Sequence, residues 1–428
     1  MINIVYSRRA CSFRQPPRNL KDHNFSVLQQ SSMEQTNQKV LIIGGGLGGL
    51  ALAQGLLQVG IPFRVFERDQ EASFRAQGYR IRISQDGGDA LKKLLPPMVY
   101  EKFETTCSDV VHGGHQLNAL TGQEAEWGGR MPSRAGKAWN ADRTVLRNVL
   151  LSDLEEHVDY RKKFQKYELL ENAVKAHFAD GSVETGRILV GADGIRSQVR
   201  RQKLPDNILL DTEGRAIFGK TPIAEHTLNS VPAVIGQGLT LIGKEATARM
   251  KLFIDVMKFS RNTSVDLPQD YIYWVLLFQK AVVDKPDSEL MSLSNTESAD
   301  LAEKLTSTWH DSVRSIIKQQ LPEAASTLMF LMAQPPLSPW KPDGRITLLG
   351  DAGHPMPPVG GVGANAAFQD AAELLRILEV GADNEGIAEY EQSMRDRCNK
   401  FLAASAAGAG HFFGMKPVHE LKPVAFHA

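Results

Sequence analysis

The stretch Lys39-Val40-Leu41-Ile42-Ile43-Gly44-Gly45-Gly46-Leu47-Gly48-Gly49-Leu50-Ala51-Leu52-Ala53 decides how the chain is read. Val40–Ile43 is a short, β-branched apolar run, the texture of a buried parallel strand. The residues after the glycines continue to Leu56, Leu57 and Val59 with helical periodicity, and Gly60 is placed to stop the helix. Phe63-Arg64-Val65-Phe66 then predicts a second strand that ends on Glu67. G-x-G-x-x-G thus stands where a dinucleotide turn requires it, between a strand and a helix. Gly44 allows the tight turn, Gly46 lets the backbone approach a pyrophosphate, and Gly49 lets helix and strand pack closely. The helix start offers free N–H groups to phosphate, and Glu67 lies near the position of a ribose-binding acid. A dinucleotide site is expected; the turn alone does not say which dinucleotide or which reaction.

Composition narrows the class. A chain of 428 residues holds two or three domains with ample core. Lys plus Arg and Asp plus Glu each total 49, so the basic footprint of a nucleic-acid binder is missing. Cys11, Cys107 and Cys398 are far apart and suggest neither a disulfide framework nor a metal site. No apolar run approaches the ~18–20 residues that would span a bilayer. The expectation is a soluble, intracellular α/β protein, cytoplasmic, with an organellar address as the alternative. That alternative comes from residues 1–38, which are basic and acid-poor like a transit peptide. Pro16-Pro17 interrupts any amphipathic helix there, and Met33 lies shortly before the first strand, so a disordered extension or an upstream start is the preferred reading.

Further along, Gly78-Tyr79-Arg80-Ile81-Arg82-Ile83 alternates with period two, with Arg80 and Arg82 on one face. That face is either solvated or turned to an anionic partner. A helix is expected from Asp142, with Val145, Leu146, Val149 and Leu150 on its apolar side. Arg143 in its first turn opposes the helix dipole, a violation expected where an anion binds; Arg147 is assigned to the solvated face. A strand, Arg187-Ile188-Leu189-Val190, ends on Gly191-Ala192-Asp193-Gly194, and another, Ile346–Leu349, ends on Gly350-Asp351. Ligands in open α/β sheets collect at such strand ends. After the last comes Pro357-Pro358-Val359-Gly360-Gly361-Val362-Gly363-Ala364-Asn365, a proline-stiffened, glycine-rich loop ahead of an alanine-rich helix. Between Pro205 and Pro339 the texture changes. β-like runs at Ala246–Ile254 and Tyr271–Phe278 and one amphipathic helix from Ser298 to Ile317 suggest an inserted antiparallel α+β unit.

Taken in order, Gly44-x-Gly46-x-x-Gly49, Gly191-Ala192-Asp193-Gly194 and Gly350-Asp351 with its Pro-Pro-x-Gly-Gly-x-Gly-Ala-Asn loop resemble the single-component FAD-dependent monooxygenases. These are the aromatic hydroxylases of the p-hydroxybenzoate and salicylate hydroxylase type, with fungal secondary-metabolite members looking most similar. The resemblance covers roughly Lys39–Leu378. It implies an α/β fold: a Rossmann-like FAD-binding domain, residues 39–204 and 340–400, interrupted by an α+β substrate domain, 205–339, and followed by a tail, 401–428. Carried over by position, Gly44, Gly46 and Gly49 would hold the FAD pyrophosphate and Glu67 the adenosine ribose. Arg143 would contact FAD, and Asp193 would serve both FAD and NAD(P)H. Asp351 would bind the ribityl chain; Gly363, Ala364 and Asn365 would meet the flavin ring; and Gly78 would lie beside it. The implied reaction uses NAD(P)H and O₂ to hydroxylate or epoxidise an aromatic, polyketide- or terpenoid-like small molecule through a flavin hydroperoxide.

Arg215, early in the inserted unit, is the pocket candidate for a catalytic role, an exposed strand arginine being its alternative. His354 reads as a hydrogen-bonded structural histidine rather than a base, and no metal is expected. Two other readings compete. A flavin-dependent halogenase would carry W-x-W, which does not occur. A catalytically silent flavin-fold binding protein is disfavoured by the intact Arg143, Asp193 and Asp351.

Overall fold

The computed structural model describes residues 39–71, 79–126, 136–245, 249–261 and 263–424. The expectations for residues 1–38, for Gly78 and for the strand start at Ala246–Ala248 lie outside these residues.

Val40–Ile43 forms β1, buried at all four positions, and feeds α1 (Leu47–Val59). Gly60 ends α1 in the left-handed region at φ 73°, its N–H returned to Leu56 and Leu57. β2 (Phe63–Phe66) follows, then β3 (Arg80–Ile83) and α2 (Gln85–Leu94), whose start is capped by the Ser84 hydroxyl. Next come β4 (Gly114–Asn118), β5 (Trp139–Asp142), α3 (Arg143–Leu150) and the short β6 (Val158–Asp159). β7 (Phe164–Leu169), β8 (Val174–Phe178) and β9 (Val183–Gly186) make a separate antiparallel meander, turned between β8 and β9 at Gly181 with φ 83°. β10 (Ile188–Gly191) and α4 (Gln198–Lys203) complete this half of the chain.

The second half opens with β11 (Leu209–Pro222), β12 (Leu239–Gly243), β13 (Met250–Met257) and β14 (Tyr271–Gln279). α5 (Asn295–Leu305) and α6 (Asp311–Lys318) follow, then β15 (Ser326–Ala333), β16 (Ile346–Leu348), α7 (Gly363–Glu379) and α8 (Asn384–Phe413). The single helix expected from Ser298 is two. A Ser294/Glu297 capping box starts α5 earlier, and His310 caps α6 anew by accepting from Ser312 N–H. The boundary expected at residue 400 also falls inside α8, because Leu402, Ser405, Ala409 and Phe413 are buried and hold the helix together past it.

Two sheets organise these elements. A five-stranded parallel sheet has the order β16-β10-β1-β2-β6. Because β16, β10 and β1 are neighbours, the three glycine-bearing strand ends emerge side by side. A seven-stranded sheet has the order β15-β11-β14-β13-β12-β4, antiparallel except where β4 joins β12, and its seventh strand, β17 (Lys422–Pro423), pairs antiparallel with β11. β4 enters it from residues 114–118, outside the 205–339 stretch that composition suggested. On β13 the Leu252 and Ile254 side is core, at 0% and 1% exposure, so Phe253 and Asp255 of the other parity face away from that core.

Candidate functional site

The adjacent strand ends build one wall of a cavity of about 670 Å³. Leu349 N–H donates to Gly191 O at 2.9 Å and Ala192 N–H to Ile43 O at 2.8 Å, so the turns stay in register beyond the last strand residue. Gly44, at φ 110°, is forced: a Cβ there would lie 2.4 Å from Ala192 O. At Gly49 a Cβ would lie 2.3 Å from Gly44 O, which is the close helix–strand packing. A Cβ on Gly46 would meet nothing within 4 Å, because that residue opens on the cavity.

Two helices present their positive ends to this space. α1 has no side-chain cap and no acid in its first turn, and Gly46, Leu47, Gly48 and Gly49 line the cavity. α7 likewise lacks a side-chain cap and a first-turn acid, and Gly363 and Ala364 line the same cavity. Unmet N–H groups at two helix starts suit an elongated ligand with negative or electron-rich groups at both ends. FAD has that form, and the residues present fit it.

The charged residues complete the fit. Arg143 lines the cavity and stacks on Tyr79, guanidinium carbon 5.3 Å from the ring centre. Its awkward place in α3 is offset by Asp142, whose Oδ1 accepts from Thr144 and Val145 N–H. The other oxygen of Asp142 accepts from Lys220 at 2.7 Å and Tyr271 at 2.8 Å, tying α3 to β11 and β14. Asp351 also lines the cavity. The protein packed around it raises its carboxyl above the usual range, while the positive charges of His354, Arg143 and Arg200 oppose that rise. Glu67 accepts from Gly45 N–H at 2.8 Å and Asp69 N–H at 3.0 Å, which places its carboxylate against the glycine turn.

Several expected residues act differently. Asp193 does not line the cavity; its Oδ2 accepts from Gln198 and Val199 N–H and holds the start of α4. Asn365, expected to meet the flavin ring by backbone groups, has a side chain with a separate task. It accepts from Ser84 N–H at 2.9 Å and donates to Arg82 O at 2.9 Å and Gly361 O at 2.6 Å, clamping the glycine loop to β3. Arg147 is not on a solvated face: its Nε donates to Gly45 O at 3.2 Å. His354 is fully buried, 2.6 Å from Asp370, whose oxygens also take Arg397 and Gly350 N–H. With both carboxylate oxygens engaged, this cluster is a support beneath the loop, and the structural reading of His354 fits it.

Arg215 is corrected. It is 0% exposed and absent from the cavity wall. Its donors go to Asp211 at 2.8 Å twice, to Asp287 at 2.9 Å twice and to Gly214 O at 2.9 Å. All five N–H groups of the fork are used, so none is available to a substrate.

The opposite wall comes from one face of the larger sheet. Ala216 and Phe218 of β11, Tyr273, Val275 and Leu277 of β14, Phe253 and Asp255 of β13, and Leu328 and Phe330 of β15 all face the cavity. Their period-two spacing was visible in the sequence, but which parity faced a ligand was not. Arg200 was also missed. It donates to Ile195, Asp351 and Ala352 carbonyls and joins the second strand end to the third, and burial lowers its guanidinium to about 10.

Comparison with known proteins gives a consistent picture. A family model described as an FAD binding domain matches residues 294–405. The dual O-methyltransferase/FAD-dependent monooxygenase elcB of Phaeosphaeria nodorum is 33% identical, over 89% of this chain and 47% of that protein. The FAD-dependent monooxygenase thnD of Trichoderma harzianum is 27% identical, over 85% of this chain and 88% of that one. The chain spans about half the length of the dual curated relatives it matches. Among solved structures, a protein described as an FAD-containing monooxygenase from Photorhabdus luminescens superposes with TM-score 0.74 at 29% identity, over 89% of this chain and 100% of that one. Klebsiella pneumoniae HpxO, solved with FAD and uric acid, shares the fold with TM-score 0.69 at 20% identity, over 87% and 88%.

Proposed function

We propose that the chain is an FAD-dependent monooxygenase, as its fold and its relatives support, and that it uses FAD, NAD(P)H and O₂ to oxygenate an aromatic, polyketide- or terpenoid-like small molecule. One observation carries this reading: a single cavity joins two uncapped helix starts, Arg143 and Asp351 to an aromatic-walled slot. Gly46–Gly49 and Arg143 would hold the phosphates, Asp351 the ribityl chain, and the start of α7 the ring. When bound, FAD supplies the redox chemistry, accepting a hydride from NAD(P)H and passing one oxygen atom of O₂ to the substrate.

The chain's own residues bind, orient and exclude water. The α7 N-terminus favours negative charge beside Gly363 and Ala364, a preorganised electrostatic term. Phe218, Phe253, Tyr273 and Val275 offer an apolar, flat-sided slot that removes water from that point. No nucleophile or triad is required, which agrees with the loss of Arg215 as a candidate. NAD(P)H needs no permanent place in this cavity; it visits as a co-substrate.

The test is direct. Purified protein should be yellow with a bound flavin spectrum, oxidise NAD(P)H faster with an aromatic substrate, and yield a product heavier by one oxygen on mass spectrometry. A colourless protein that does not take up added FAD defeats the proposal. A yellow one that neither oxidises NAD(P)H nor oxygenates any of a broad aromatic panel leaves a silent flavin-fold binder.

A further inference from the structure

We propose that Arg80 and Asp255 are the polar anchor that orients the substrate, gripping a neutral hydroxyl on its aromatic ring. Arg80 donates to the hydroxyl oxygen, and Asp255 accepts its O–H. The inference rests on the monooxygenase reading above and assigns the recognition element of that same site.

The pair joins the two halves of the cavity. Arg80 stands on β3 and Asp255 on β13, with Nη2 and Oδ2 2.6 Å apart and side chains only 8% and 10% exposed. Both residues line the cavity. The guanidinium carbon lies 5.7 Å from the Phe253 ring centre; Asn140 Nδ2 reaches Asp255 Oδ2 at 3.3 Å and Val256 N–H donates to Oδ1 at 3.0 Å, so a ligand hydroxyl would use the second lone pair of Oδ1.

Arg80 is nevertheless incompletely satisfied. Neither Nε nor Nη2 has a hydrogen-bond partner of acceptable geometry among the described residues, because the Asp255 contact is close but off line. Arg215 supplies the contrast within the same chain. It is more deeply buried, lies off the cavity, and uses every donor. A buried guanidinium left unsaturated on a cavity-lining residue points to a polar ligand group as the remaining partner of the pair. Asp255 decides what that atom belongs to. Its charge already balances the guanidinium and would repel a carboxylate. A group that accepts from Arg80 and donates to Asp255 is a hydroxyl. Phe218, Phe253 and Tyr273 on the adjoining walls select a planar ring to carry it. Tyr273 opposes Asp255 in the β13–β14 register, and burial raises its phenol, so it stays a neutral donor beside the pair.

The FAD-loaded enzyme can be titrated with β-naphthol, its methyl ether and β-naphthoate, binding being read from the flavin difference spectrum. Wild type should bind β-naphthol about ten-fold or more tighter than either analogue. Arg80→Met and Asp255→Asn should bring the alcohol and ether within about two-fold of each other at unchanged FAD content. Phe218→Leu should weaken both and keep their ratio, which separates packing from polar recognition. Wild-type protein that binds alcohol and ether equally, prefers naphthoate, or binds none of the probes overturns the proposal without any variant having to fold. So does discrimination that survives in Arg80→Met. A yellow, NAD(P)H-oxidising enzyme with one of these outcomes loses only the anchor assignment; a protein that takes up no FAD loses both.

Discussion

Replacing Arg215 by Met separates a structural from a catalytic reading of the same side chain. The substitution keeps length and apolar volume but removes the cation between Asp211 and Asp287. These carboxylates are 18% and 25% exposed and would be left facing one another. Breaking a buried pair by removing one partner costs about 3–5 kcal/mol. Lys280 still contacts Asp287, and both acids reach some water, so the lower end, about 3 kcal/mol, applies. At about 2.1 cal/mol/K of unfolding entropy per residue, for 428 residues that amount corresponds to a fall in the unfolding midpoint of about 3 °C. The assay is thermal release of flavin fluorescence at fixed FAD concentration and scan rate. Turnover per bound FAD at a permissive temperature should stay within about two-fold of wild type. Asp287→Asn should cost less than Arg215→Met, since Asp211 keeps its two-point grip. An unshifted midpoint together with lost turnover in Arg215→Met would refute this reasoning and restore the arginine as a catalytic candidate.

Three other substitutions examine the cofactor end. Asp351→Ala should weaken FAD retention roughly three- to ten-fold, the worth of one or two hydrogen bonds; wild-type flavin content after gel filtration would remove the ribityl assignment. Gly46→Val and Gly49→Ala should part company. The first meets no protein atom within 4 Å and should spare apoprotein stability while blocking FAD, whereas the second sets a Cβ 2.3 Å from Gly44 O and should destabilise the apoprotein itself. Equal thermal shifts in the two apoproteins would contradict the geometry. His354 is held well above its ordinary range by Asp370, against the cost of burial, and Asp370 is held below its own. The folded state therefore keeps the imidazole proton where the unfolded chain has lost it. This contribution is complete below about pH 6.5 and declines as pH rises through the folded value. The stability gap between wild type and His354→Gln should narrow from pH 6 toward alkaline pH; a gap that widens would reverse the assignment.

The cofactor end of this protein was largely legible in one dimension. A strand, a glycine turn and a helix are local objects; backbone sterics demand glycine at 44 and 49, whereas Gly46 opens on the cavity. The charge at Arg143 was recognisable as a local violation of helix electrostatics, and the cavity explains it. Glu67, expected from spacing, stands with its carboxylate on Gly45 N–H. Partner choice was not legible in this way. Asp193 and Asn365 sit where the pattern placed them, yet their side chains serve backbone groups of α4, β3 and the glycine loop. Arg147 reads as solvated by helical periodicity but reaches Gly45 O, 102 residues back in the chain.

What the sequence determined by itself was therefore everything carried by local sterics and periodicity: three strand ends, their order, and the class of ligand they suit. Tertiary structure decided which arginine is spent and which is available. Arg215 and Arg80 are both strand arginines with alternating neighbours, and Asp211, four residues before Arg215, supplies only two of the five contacts that occupy it. Asp287 reaches Arg215 from 72 residues away and saturates it. Asp255 reaches Arg80 from another sheet and leaves Nε and Nη2 of that cavity-lining arginine without hydrogen-bond partners among the described residues. A side chain's chemistry is set by the acceptors that folding brings to it, and those come from parts of the chain that a local pattern does not connect.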